Sequence, residues 1–219
     1  MKILKKFNGV VKIFSIYWTT YGRTKELLQS LYFWMAIIIT GLSFNIWFNP
    51  DWWSLVLGVI PNLMGFSLGG FAIFLAFGDN QFLSIIRGSN ENGKSSPFIN
   101  LSASFVHFIL VQMLALLSAI AAKSLYIPFP EWILNIFTSL GISETFIWGF
   151  ASILRTIGWF LGFFLFIYAL FTAIAATMAI FRLTRWFDIY SGKNISKRKN
   201  PKRKIRGNHQ EYIRKRRIR

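Results

Sequence analysis

Ser67 and His107 lie in separate apolar stretches at comparable distances from one end, so antiparallel helices would bring them to a similar depth. A serine hydroxyl beside an imidazole base is the elementary equipment of acyl transfer, the base taking the proton as the oxygen attacks a carbonyl. Arg155 is a basic residue inside a long apolar stretch, where an ionisable side chain marks a functional position by default. Glu144, Glu131 and Asp51 fall toward the same end and are its expected ion-pair partners. So near an end, the long side chain can also snorkel to the interface. A third group is defined by smallness. Wound as a helix, Ser54, Gly58, Asn62, Gly65, Gly69, Ala72 and Ala76 fall within an arc of roughly 80°. In lipid such a stripe lets backbones approach closely, and Gly65-x-x-x-Gly69 is the short form of that device. The face is expected to pack helices or to line a path; Gly158 and Gly162 form a second small pair beside Arg155.

Gly65-Phe66-Ser67-Leu68-Gly69 also matches the G-x-S-x-G pattern of serine hydrolases. In that family the serine sits on a strained turn between a strand and a helix, whereas here the motif lies inside an apolar run, which removes that mechanism. The combination with His107 resembles the serine–histidine dyad of rhomboid-type intramembrane proteases, over two residues and a short glycine motif. Those proteases have six or more spans and further polar groups for the oxyanion, which are not found here. The expectation is a protein that is not an enzyme, with His107 hydrogen-bonded between helices. Proteolysis through Ser67 and His107 is the remote alternative.

Composition sets the class that must position these residues. The chain has 219 residues, is 54% hydrophobic and 18% aromatic, and carries a formal charge of +17. With a mean hydropathy of +0.45, that points to an integral membrane protein. The absence of cysteine excludes disulfides, thiol catalysis and cysteine-bound metal. With histidines at His107 and His209 alone, no histidine-rich metal site is expected, and no cofactor. The middles of the apolar runs hold no acidic residue, which argues against proton-coupled transport and a carboxylate-lined pore. Neither a phosphate-binding glycine loop nor an inverted repeat stands out.

The predicted fold is all-α, with four transmembrane helices at about 27–48, 54–77, 98–122 and 153–181. Residues 1–24 read as an amphipathic interfacial segment, with Lys2, Lys5, Lys6 and Lys12 opposite Leu4, Phe7, Val11, Phe14 and Trp18. Lys12 interrupts the apolar run that a signal peptide would need. Pro61 removes one backbone hydrogen bond from the second span and is expected to bend it. Residues 78–97 form a polar loop, Glu131 to Phe137 a short interfacial helix, and Ser143 an N-cap for the last span. Asn100, Ser104, His107 and Ser118 lie near one line of the third span.

Basic residues set the orientation. They gather before residue 26, at Arg87 and Lys94, and from Arg182 onward, while the other turns carry almost none. Both termini are therefore expected in the cytoplasm, in a cell inner (plasma) membrane. The segment 191–219 reads as a disordered polybasic tail, with Lys197, Arg198, Lys199, Lys202, Arg203, Lys204, Arg214, Lys215, Arg216 and Arg217 available to anionic lipids, a cytoplasmic protein or nucleic acid. The function expected is that of a homo-oligomeric pore or membrane-permeabilising component. The alternative is an anchor that recruits a partner through the tail.

Overall fold

The structure is a computed structural model that describes the backbone of residues 2–76, 86–87, 96–127 and 130–199, and the side chains of 8–76, 86–87, 96–127 and 130–192. It is 90% helix without strands among those residues. In chain order the helices are α1 (Lys2–Tyr21), α2 (Arg23–Gln29), α3 (Leu31–Leu42), α4 (Phe44–Trp47), α5 (Trp52–Ala76), α6 (Pro97–Leu125), α7 (Glu131–Ser139) and α8 (Glu144–Lys199). Three of them, α5, α6 and the part of α8 from Glu144 to Gly192, are long and apolar enough to cross a membrane.

The apolar run from 27 to 48 differs from the single span expected. It breaks at Ser30, whose backbone is extended (φ −71°, ψ 122°), and again at Ser43. The central piece, α3, has 12 residues and is about 18 Å long, short of a ~30 Å hydrocarbon core. Each break frees helix carbonyls, and each has an indole to meet one. Trp34 Nε1 donates to the Leu28 carbonyl at 2.7 Å, and Trp47 Nε1 to the Thr40 carbonyl at 2.8 Å.

The other boundaries follow local chemistry. Ser96 caps α6, its Oγ accepting from the Ile99 amide at 3.3 Å, with Pro97 in the first turn, where no amide hydrogen is needed. Ser143 caps α8 in the same way, accepting from Phe146 N at 3.4 Å. Helix α7 ends on Gly141 at φ 81°, where Gly141 N donates to Thr138 O and Ile142 N to Phe137 O. That left-handed closing turn suits glycine. Helix α5 continues through Pro61 to Ala76. Helix α8 has 56 residues, about 84 Å, far more than a bilayer requires. Its helical backbone reaches Lys199, so the tail expected to be disordered from residue 191 starts as helix.

Packing centres on α8. Trp47, Trp52, Trp53 and Val56 meet Trp159, Phe163 and Phe166 in one buried cluster, with Val111, Ala115 and Ala119 of α6. Nearer the other end of α8, Phe74 of α5 and Leu101, Phe105 and Phe108 of α6 pack against Ala176, Ala179 and Leu183. Gly162 is required there by space: a Cβ on it would lie 2.6 Å from Trp52 Cη2.

Candidate functional site

The small-residue stripe faces away from the packed side of its own helix. Ser54, Gly58, Asn62, Gly65, Gly69, Ala72 and Ala76 are all exposed, and a Cβ on Gly58, Gly65 or Gly69 would meet nothing within 4 Å. The buried residues of α5 are Trp52, Trp53, Val56, Ile60, Ser67 and Phe74. On a helical wheel they centre about 180° from the stripe. Helix α5 is accordingly the least covered span, with 17% of its apolar window buried against 39% for α6 and 44% for α8. Within the stripe, Asn62 Nδ2 donates to the Gly58 carbonyl at 3.2 Å, and Ser54 Oγ donates to Asp51 Oδ1. Gly70 behaves differently, since its Cβ would lie 3.3 Å from Ile180 Cδ1 of α8.

Ser67 and His107 each have other partners. Ser67 is 1% exposed and accepts a hydrogen bond from Gln112 Nε2 at 2.9 Å. His107, 4% exposed, lies between two tyrosines: Nδ1 is 2.9 Å from Tyr17 OH and Nε2 3.1 Å from Tyr168 OH. Tyr21 stacks on the imidazole with centroids 4.0 Å apart. Five residues separate His107 from Gln112 on α6, a rotation of about 140°, so one looks toward α1 and α8 and the other toward α5. The histidine therefore ties α1 to the bundle. Burial, with Tyr21 alongside, pushes the Tyr17 phenol up to about 12. Val10, Val11, Ile13, Phe14 and Ile16 of α1 remain exposed.

The polar line expected along α6 resolves into local bonds beside His107. Ser104 Oγ donates to the Asn100 carbonyl, and Ser118 Oγ to the Ala115 carbonyl. The Arg155 guanidinium lies over the Trp159 ring at 5.3 Å, so an aromatic face takes the place expected of Glu144, Glu131 or Asp51. Of the small pair beside it, Gly158 is open and Gly162 is filled by Trp52.

Among the described residues no three His, Cys, Asp or Glu side chains come together to hold a metal ion. Lys197, Arg198 and Lys199 are in the last turn of α8; Lys202, Arg203, Lys204, Arg214, Lys215, Arg216 and Arg217 lie outside the described residues. The polar loop at 78–97 is described at 86–87 and 96–97.

Tyr17, Tyr21, Tyr168 and Gln112 were not singled out by spacing. For two of them the signal is isolation: Gln112 is an amide within VQMLALL, and Tyr168 a phenol within FFLFIYALF. A polar group so placed needs a buried partner. Comparison with family models, curated proteins and solved structures finds no match to this chain.

Proposed function

We propose that this chain is a non-catalytic, self-assembling membrane protein whose subunits meet through the small-residue face of α5, several copies together forming a pore or permeabilising path. The observation that carries this reading is the outward direction of Gly58, Asn62, Gly65 and Gly69, opposite the packed side of their own helix. Close approach of backbones is what such a face offers in lipid. Aromatic side chains fill the space between α5, α6 and α8 within one copy, so the path belongs to the assembly. Native mass and dye release from vesicles test the idea together. The wild type should be oligomeric and leaky, and Gly65→Leu smaller and tight; a monomeric wild type that still releases dye would overturn it.

In this reading the chain crosses the inner (plasma) membrane four times with both termini cytoplasmic, α3 and α4 making the first crossing. Ring contacts that carry this segment along α8 support it, from Tyr32 on Phe171, through Phe33 on Phe164, to Trp47 on Phe160. Reporters fused after Asp51 or Ser139 should read outside, and those at Asn92 or Ser191 inside.

A second reading, an anchor recruiting a cytoplasmic protein or nucleic acid, is favoured by the continuation of α8 to Lys199 toward the basic end. Deleting 191–219 separates the two: a pore keeps its leak, and an anchor loses its partner.

A further inference from the structure

A groove of about 340 Å³ runs between α5 and α8, lined by Phe66, Gly69, Gly70 and Ile73 on one side and Ile180 and Thr184 on the other. Its walls are apolar, and the adjacent glycines keep it open. It follows α5 from Phe66 to Phe74, about 12 Å. One end is cationic. Phe74, in the wall, stacks on Phe98 with centroids 5.2 Å apart, and Phe98 carries the Arg87 guanidinium 4.8 Å above its ring. Arg182 and Arg185, both exposed, turn about 150° away from the face of α8 that carries Ile180, Leu183 and Thr184, so the cation at that end is Arg87. Among the described residues of α8, the acidic residue nearest that end is Asp188, one turn past Thr184.

We infer that the groove holds an acyl chain of an anionic phospholipid whose headgroup phosphate is bound by Arg87. An apolar slot on the lipid-facing side of the bundle, with a cation at its headgroup end, has the polarity of one phospholipid molecule. A second copy fits less well, because the α5 face it would present is uncharged and has nothing for Arg87. Basic pockets between spans near the membrane surface bind phospholipid headgroups by this chemistry. The groove borders the assembly face at Gly69, the residue it shares with the stripe, and its other lining residues lie off that face.

The test uses the full chain in detergent with phosphatidylglycerol or phosphatidylcholine, read by native mass spectrometry. Retained phosphatidylglycerol should exceed phosphatidylcholine. Arg87→Gln should weaken its retention about fivefold, the effect of one basic residue at the surface. Thr184→Trp should block the slot, while Gly58→Leu, on the stripe but outside the groove, should retain lipid whatever its oligomeric state. Equal retention by wild type, Arg87→Gln and Thr184→Trp would overturn the site. A second measurement needs no variant: phosphatidylglycerol with a photoreactive acyl chain should label wild-type Phe66, Ile73 or Leu183. Label scattered elsewhere, as headgroup attraction to the basic tail alone would give, would also overturn it.

Discussion

Ser67 Oγ accepts a hydrogen bond from the Gln112 amide at 2.9 Å, joining α5 to α6 where both side chains are buried. Gln112 Oε1 has no hydrogen-bond partner among the described residues. Ser67→Ala should therefore destabilise the fold by ~1 kcal/mol, because it also orphans the amide nitrogen. Ser67→Ala with Gln112→Leu should recover most of that loss, since removing both partners leaves no stranded donor. Unfolding titrations in mixed micelles would measure the cycle. A double variant as unstable as the sum of the two single variants would contradict it.

Trp52 occupies the space that a Cβ on Gly162 would need, and the cluster around them is already filled with rings. Gly162→Ala should cost about 1–3 kcal/mol by overpacking. Gly158→Ala, one turn earlier with open space around it, should be neutral or slightly stabilising through helix propensity. Thermal unfolding of the two variants decides between them.

Gly65→Leu and Gly69→Leu should leave the subunit folded, because their side chains enter open space, and should reduce native size. Gly70→Leu should instead lower stability through contact with Ile180 while leaving native size unchanged. Size-exclusion with light scattering, alongside a melting curve, reads both effects. A folded protein of unchanged size at Gly65 and Gly69 would count against assembly through this face.

Two phenols hold His107, so His107→Phe should keep the ring stack with Tyr21 yet loosen α1, losing about 1–2 kcal/mol of docking. Hydrogen exchange of α1 amides should rise in that variant and in Tyr17→Phe. Because the folded Tyr17 phenol is raised to about 12 from 10.0, its contribution is complete below pH 10 and fades as pH rises toward 12. Exchange of α1 should stay flat with respect to this group up to pH 10, once corrected for intrinsic rates. Loss of protection beginning near neutral pH would contradict the assignment.

Arg155 over Trp159 predicts coupling between those two positions. Arg155→Gln should cost about 0.5–1 kcal/mol and be non-additive with Trp159→Leu. Coupling to Glu144→Gln instead would restore a carboxylate partner.

The spans near 54–77 and 98–122, the Ser143 cap and the side of α5 that carries glycine were legible because each depends on one segment's composition or period. Apolar length reports a helix that can cross a membrane, and 100° per residue reports which side chains share its face. The breaks at Ser30 and Ser43 fall where Gln29, Ser30, Ser43 and Asn45 interrupt the apolar run, yet such residues are common inside helices; what accompanies the breaks is tertiary, the indoles of Trp34 and Trp47 that meet the freed carbonyls. Nor did depth within a span reveal partners. Ser67 and His107 matched in depth, yet rotation about α6 sends His107 to Tyr17 and Tyr168 and gives Ser67 to Gln112. Periodicity along one helix defines faces, whereas pairing depends on the rotation and register of helices against each other, and those are set by how the tryptophans and phenylalanines of the core pack together.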